Sequence, residues 1–124
     1  MSAHHKEIVE KVNAAFAQNS VEGFLSFCAD DVEFTMVGDK TVKGKEAIRQ
    51  WMASMDAEPP RITIDRVIGE GEFVAAHGNV TMNDKTGKAV PYAFCDIYRF
   101  RGDKIVELRA FVVKTEPTYE TTGA

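Results

Sequence analysis

The chain is poor in the residues that mark metalloproteins and disulfide-linked proteins. Its 124 residues include only two cysteines, three histidines and one tryptophan, and the cysteines and histidines do not stand at metal-ligand spacings. We therefore expect no metal and no cofactor. Cys28 and Cys95 lie inside apolar segments, where buried reduced thiols are expected in preference to a disulfide.

The chain also lacks an excess of positive charge and any long apolar run. Its net charge is −4, which argues against a nucleic-acid or anionic-membrane partner, because both require a clustered basic surface. The N-terminal residues hold no apolar stretch typical of a signal peptide, and no apolar run is long enough to cross a bilayer. We therefore expect a cytoplasmic protein.

What is present is an ordinary globular composition with clear helix and strand patterns. Hydrophobic residues make up 44% and charged residues 27% of the chain, which suits one domain with its own core. Apolar residues at helical spacing and apolar–polar alternation define the elements. The predicted helices are 4–18, 21–28 and 45–55, and the predicted strands are 32–37, 62–68, 72–82, 89–100 and 104–113.

This order of elements predicts an α+β fold. Three helices, all from the N-terminal half, would pack on a curved, mainly antiparallel sheet, as in a cystatin-like α+β barrel. The curvature would leave a conical cavity between the helices and the sheet, which is the usual place for a ligand. A single domain is expected over residues 1–114, followed by a polar tail over 115–124.

The strand over residues 89–100 carries the main candidate for a functional residue. Alternate residues of a strand share one face, and Asp96 is the only charge on an otherwise apolar and aromatic face. Asp96 is predicted either to act chemically on a ligand or to be a core carboxylate with a hydrogen-bond partner. The candidates for that partner are Tyr92, Tyr98 and the indole of Trp51.

The residue opposite Asp96 depends on the length of the loop after Arg101. A two-residue loop would put Arg109 opposite Asp96, but it would also turn Glu107 into the apolar face. A three-residue loop instead puts Leu108 opposite Asp96. Burial normally decides the register, so the three-residue loop is predicted. Asp96 would then have no basic partner across from it, and desolvation should raise its pKa.

Three motifs resemble a known superfamily. They are FCADDV at residues 27–32, KGKEAI at 43–48, and DIYRF at 96–100 followed by GDKI at 102–105. In this order they are similar to the nuclear transport factor 2-like superfamily, and within it to the ketosteroid isomerases and the SnoaL-like polyketide cyclases. The resemblance covers about residues 5–114. It implies the fold more specifically than the function, because this fold carries many unrelated activities.

Ketosteroid isomerases use a carboxylate base, with a tyrosine and a protonated aspartate as the oxyanion hole. The resemblance places the base at Met36 and the tyrosine near Val12 or Asn13, and only the aspartate is matched, by Asp96. Ketosteroid isomerisation itself is therefore not expected.

Two further activities of the superfamily differ in how well this chain matches the residues that they use. Its epoxide hydrolases use an Asp-Arg-Asp set, and this chain has Phe94 and either Ala110 or Phe111 where an arginine and the second aspartate are wanted. Its SnoaL-like cyclases use a lone carboxylic acid as general acid or base in an apolar pocket, which Asp96 satisfies.

Three functions stay open at this point. The first is an acid/base isomerase, cyclase or lyase acting on an apolar carbonyl compound, the second a non-catalytic binder of a small apolar molecule, and the third an association module whose cavity is filled. Asp96 is the catalytic candidate. The predicted ligand-binding residues are Tyr92, Phe94, Tyr98, Trp51, Phe34, Met36, Val12, Leu108 and Ala110.

The opposite face of the late strands predicts a protein partner. Ala93, Cys95, Ile97, Phe111 and Val113 stand there beside charged residues, a mixture too apolar for solvent and too charged for a core. We therefore expect a homodimer packed through the sheets, as the resemblance also implies. By the same alternation, His77 is predicted on the outer face, away from Asp96.

Overall fold

A computed structural model describes residues 2–55 and 58–115. The helices are α1 (Ser2–Ala17), α2 (Val21–Leu25) and α3 (Lys45–Met55), and the strands are β1 (Cys28–Met36), β2 (Lys40–Lys43), β3 (Arg61–Glu70), β4 (Phe73–Asn83), β5 (Ala89–Arg101) and β6 (Lys104–Lys114). The predicted α+β class is confirmed. The predicted polar tail lies, apart from Thr115, outside the described residues.

One sheet holds all six described strands in the order β2-β1-β6-β5-β4-β3. Neighbouring strands run antiparallel except for β1 and β6, which are parallel. The sheet is curved and the three helices pack against it, so one face is concave and covered by helices. None of the helices among the described residues is long and apolar enough to cross a membrane.

The second helix is shorter than predicted because the first strand begins earlier. Ser20 caps α2 by accepting a hydrogen bond from the backbone N–H of Gly23, at 3.1 Å. The helix ends at Leu25, and β1 already begins at Cys28, which pairs with Ile105 of β6. The thiol of Cys28 donates to the carbonyl of Phe24, and Cys28 and Cys95 are both free, as predicted. Cys28 is buried, whereas Cys95 is only half-buried.

The turn between β5 and β6 corrects the predicted register. Arg101 pairs with Lys104, so the loop has two residues, and the prediction of three is wrong. Its first residue, Gly102, has φ 62°, which a tight hairpin turn demands at that position and glycine adopts freely. A bulge then leaves Val106 as an extra residue in β6.

The bulge restores the inside–outside alternation that the short loop would have reversed. Asp96 lies opposite Ala110 rather than the predicted Leu108, and Arg109 lies opposite Ile97 on the other face. The expectation that Asp96 faces no basic residue across β6 is therefore confirmed. A three-residue loop is not needed, because the bulge shifts β6 by one residue after the tight turn. The apolar side chains of β6 therefore still face the core.

A second bulge lies in the edge strand β3. The register shifts between Ile64 and Arg66, and Gly78 of β4 stands opposite Ile64. A Cβ atom at Gly78 would collide with the carbonyl oxygen of Thr63, so the close approach of the two strands requires glycine there. The alternation of β4 itself is unbroken: His77 pairs with Cys95 and lies on the outer face, as predicted.

The concave face has two ends that differ in how they are covered. The sealed end consists of Tyr98 and Phe100 of β5 with Ile105 and Leu108 of β6, all at most 1% exposed. His5 of α1 covers it: its ring stacks on Phe100 at 4.1 Å, and its Nε2 hydrogen-bonds the carbonyl of Gly102 at 2.8 Å. The open end begins two residues further along each strand. It consists of Phe94 and Asp96 of β5 with Ala110 and Val112 of β6.

Candidate functional site

A cavity of about 320 Å³ lies over the open end, between the sheet and helices α1 and α3. Its volume is at the lower end of the range for small-molecule sites. The described residues that line it are Asn13, Phe16, Phe34, Met36, Trp51, Met52, Met55, Ile62, Val80, Met82, Phe94, Asp96, Ala110 and Val112. Twelve of these side chains are hydrocarbon, aromatic or thioether groups, so Asp96 and Asn13 supply the polar chemistry.

The roof of this pocket is the apolar stripe of α3. Ile48 is fully buried and anchors the helix, which places Trp51, Met52 and Met55 over the cavity. Trp51 packs edge-on against Phe34 of β1, with ring centroids 5.2 Å apart. The ammonium group of Lys40 lies 5.3 Å from the Trp51 ring, on the side of strand β2.

Asp96 forms part of the floor. It is flanked across the sheet by two alanines, Ala76 of β4 and Ala110 of β6, whose small side chains leave room above the carboxyl group. Within residues 2–55 and 58–115 the carboxyl group has no hydrogen bond and no salt bridge. Loss of solvation raises the pKa of Asp96 to about 7, in the direction expected from the sequence.

Asn13 brings a second polar group to the same cavity. It lies on the inward stripe of α1, one turn after the fully buried Val9, and is only 6% exposed. Its amide nitrogen, Nδ2, is buried without a hydrogen-bond partner among the described residues. A buried donor of this kind costs free energy unless something pairs with it, so Asn13 holds an unused N–H group enclosed in the wall of the pocket.

The structure brings together six of the residues predicted for the site. Asp96, Phe34, Met36, Trp51, Phe94 and Ala110 all line the pocket. Val12, Tyr98 and Leu108 are instead enclosed in the core beneath the helices and do not border the cavity. Tyr92 shares the face of Asp96 but stands beyond the pocket, opposite Val80 and Lys114 at the far end of β5.

Sequence reasoning put Val12 in the pocket where the structure puts Asn13. Val12 is fully buried in the core, and the next residue turns toward the cavity. A signal existed in the spacing: Val9, Asn13 and Phe16 follow one another at i, i+4 and i+7. A polar residue inside such an apolar stripe indicates a buried polar group that needs a partner.

The alternative in which Asp96 is a hydrogen-bonded core acid is not realised. In the described part of the chain, none of Tyr92, Tyr98 and Trp51 hydrogen-bonds the carboxyl group. The hydroxyl of Tyr98 is itself buried without a partner among these residues, and burial raises the pKa of Tyr98. Asp96 and Tyr98 therefore stand near each other as two unpaired polar groups, one facing the cavity and the other in the core.

Two further cavities adjoin the pocket. One, of about 340 Å³, shares Phe16, Met52, Met55 and Met82 with it and lies toward the junction of α1 and α2. The other, of about 550 Å³, shares Asn13 and Ile62 and runs between α1 and β3. Among residues 2–55 and 58–115, no group of three histidine, cysteine or acidic side chains could hold a metal ion.

The pocket can therefore perform acid/base or hydrogen-bond chemistry in an apolar surrounding. With a pKa near 7, Asp96 exists in both protonation states at neutral pH, so it can give a proton or accept one.

Several solved structures share this fold. A protein described as a SnoaL-like polyketide cyclase from a Jannaschia species has a TM-score of 0.82 at 13% identity, covering 90% of this chain and 87% of its own. An NTF2-like protein of unknown function from Burkholderia pseudomallei has a TM-score of 0.79 at 20% identity, covering 89% and 90%. An LEH-like epoxide hydrolase from M. tuberculosis has a TM-score of 0.78 at 15% identity, covering 90% and 84%.

These identities are low enough that the likeness establishes the fold alone. No functionally curated protein matches the chain. The sequence profile of the SnoaL-like domain, in contrast, matches residues 9–108, which is most of the chain. The protein therefore belongs to the SnoaL-like domain family.

Proposed function

We propose that the protein binds a small apolar carbonyl compound and performs acid/base chemistry on it with Asp96, as an isomerase, cyclase or lyase would. One observation carries this proposal: an unpaired carboxyl group with a pKa of about 7 lies in the floor of an open, apolar cavity. A carboxyl group with such a pKa is suited to proton transfer at neutral pH.

The step that fits the two polar groups is proton transfer next to a carbonyl. Ionised Asp96 accepts a proton from the carbon beside the carbonyl, and the C–H electron pair moves into the carbonyl to form an enolate. The Asn13 amide donates a hydrogen bond to the enolate oxygen. Asp96 then returns the proton to the same or a neighbouring carbon, so that the enzyme ends unchanged.

The second candidate is a non-catalytic binder that uses the same two groups only to orient its ligand. Both functions require an open cavity, and a volume of about 320 Å³ supports them over an association module with a filled interior. Met36, which has no proton-accepting group, lies in the wall where the ketosteroid isomerase resemblance wants a base. Isomerisation of ketosteroids is therefore not part of the proposal.

The test uses 2-tetralone, a bicyclic ketone of a size that suits the cavity. Exchange of its hydrogens beside the carbonyl for deuterium in heavy water is followed by NMR with and without the protein. We expect the wild type to accelerate exchange and Asp96→Asn to abolish the acceleration. A rate that rises with pH through about 7 and then levels off identifies ionised Asp96 as the base.

The controls separate the two candidates. Asp96→Asn is nearly isosteric and should still bind 2-tetralone, as measured by calorimetry. Wild-type protein that binds the ketone without accelerating exchange is a binder, and the catalytic part of the proposal then fails. Acceleration that survives Asp96→Asn would remove Asp96 from the mechanism.

The outer face of the sheet supports a homodimer. Phe111 and Val113 are 37% and 64% exposed there, whereas Arg99 and Glu107 pair with each other at 3.4 Å. The guanidinium of Arg109 lies 5.4 Å from the Phe111 ring. Because these charges already have partners within the face, a second copy could cover the apolar side chains without isolating a charge.

We expect a dimer by light scattering at tens of micromolar, and a monomer for Phe111→Asp. The control is Ala47→Asp, which adds the same charge at an exposed position of α3, on the helix-covered side of the sheet. A monomeric wild type would overturn the proposed dimer and leave the proposed chemistry untouched.

A further inference from the structure

A second cavity beside the pocket differs from it chemically. The cavity of about 340 Å³ that adjoins the pocket is formed where the α1–α2 junction, the C-terminal part of α3 and the end of β4 meet. We call this cavity the vestibule. Its polar lining residues are Asn19, Ser20, Glu58 and Asn83.

Among the described residues that line the vestibule, Glu58 supplies its charge. Asn83 Nδ2 donates to Glu58 Oε2 at 2.9 Å, which ties the end of β4 to the segment after α3. In the described part of the chain, the second carboxylate oxygen of Glu58 and the amide oxygen of Asn83 make no hydrogen bond. Ser20 accepts a hydrogen bond from the N–H of Gly23 as the cap of α2. Because Glu58 is negatively charged and accepts hydrogen bonds, the vestibule suits a hydrogen-bond donor and disfavours a carboxylate.

The side chains that border both cavities are apolar and adaptable. The residues that border both are Phe16, Met52, Met55 and Met82. Methionine side chains are unbranched and polarizable, so they adapt to different ring shapes. A ligand that crosses these side chains from one cavity to the other would place one end at Asp96 and Asn13 and the other at Glu58 and Asn83.

We propose that the ligand has two polar ends: an oxygen-bearing end that lies beside Asp96 and Asn13, and a hydroxyl or amine donor bound by Glu58 and Asn83, joined by an apolar body that contacts the shared methionines. The inner end of this description rests on the proposed function. The outer end does not, since it follows from the composition and hydrogen bonding of the vestibule.

The probes are a series of 4-alkylphenols from propyl to hexyl, each compared with the phenol whose chain ends in a hydroxyl group. The phenol oxygen stands for the inner oxygen-bearing end, and the series covers a range of distances between the two cavities. For the chain that reaches the vestibule, Asn83→Leu should weaken the hydroxyl-ended compound roughly three- to tenfold, the value of one hydrogen bond. The plain alkylphenol should bind Asn83→Leu as well as it binds the wild type.

Two variants sharpen the comparison. Asn79→Leu makes the same change at an exposed residue of the same strand outside the cavities, and it should alter neither dissociation constant. Glu58→Gln should weaken an amine-ended phenol more than a hydroxyl-ended one, because only the ammonium group loses a charge partner. A carboxylate-ended phenol should bind the wild type most weakly of the four.

The outcomes separate the two proposals. If the alkylphenols do not bind, or bind wild type and Asp96→Leu equally, the inner site of the proposed function is wrong. If they bind in a way that depends on Asp96, but the hydroxyl-ended and plain compounds respond alike to Asn83→Leu at every chain length, the vestibule proposal is overturned while the proposed function stands.

Discussion

The sealed and open ends of the concave face share two strands and one side-chain pattern, yet they end in opposite environments. Tyr98 and Leu108 face each other at the sealed end, whereas Asp96 and Ala110 face each other at the open end. These pairs are separated by two residues, or about 7 Å along the strand. Over that distance the surroundings change from a close-packed core to a cavity.

The cause lies in what covers each end and how large the floor residues are. The N-terminal part of α1 closes the sealed end through His5 and its stack on Phe100. At the open end, Ala76 and Ala110 flank Asp96 with little side-chain volume, and the stripe of α3 forms a roof above them. An unpaired carboxyl group is tolerated there because it can remain neutral and still face an opening.

The first prediction concerns the difference in packing between the sealed end and the open end. Leu108→Ala should lower the free energy of unfolding by about 2–5 kcal/mol, because it leaves a hole in a close-packed region. Val112→Ala removes apolar volume beside a space that is already empty, so it should cost less than about 1.5 kcal/mol. Urea unfolding of both variants measures these free energies. Equal losses of stability would contradict the division into a sealed and an open end.

The second prediction concerns the pH dependence of stability. The folded-state pKa of Asp96, about 7, lies above its ordinary value of 3.8, so folding favours the neutral form. Stability should fall as pH rises between these values, by at most about 1.4 kcal/mol per pH unit, and level off above pH 7. Asp96→Asn should remove this slope and be at least as stable as the wild type at pH 7 and above.

Urea unfolding from pH 4 to 8 provides the measurement. Asp39→Asn, which changes a carboxylate in the exposed turn after β1, serves as the control and should keep the wild-type slope. A loss of roughly 3–5 kcal/mol for Asp96→Asn at pH 7 would mean that the carboxylate is charged and paired after all.

The third prediction has the smallest expected effect. Tyr98→Phe removes a hydroxyl that is buried without a partner in the described part of the chain. Removing such a group should change the free energy of unfolding by no more than about 1 kcal/mol, in either direction. Tyr92→Phe, at the half-buried far end of β5, is the matched control. A larger loss for Tyr98→Phe would show that its hydroxyl has a partner and that the sealed end is less apolar than its packing suggests.

The sequence by itself determined the elements whose patterns are complete within one segment. The stripe of Ile48, Trp51, Met52 and Met55 predicted α3 over the residues it occupies, 45–55. The alternation in β5 placed Asp96 alone on an apolar face, and this also predicted the direction of its pKa shift. Such patterns are local, because helix and strand periods are set by the backbone of the segment itself.

Only the tertiary structure decided what lies across from each of these segments. Strand β2 is four mostly exposed residues, without a periodic signal, and exists because β1 offers it a free edge. The bulge at Val106 placed Ala110 opposite Asp96 in the sheet. The rotation of α1 about its axis turned Asn13, and not Val12, toward the pocket. A cavity is the space left between segments that are distant in sequence, so its lining depends on register and helix rotation, which no single segment encodes.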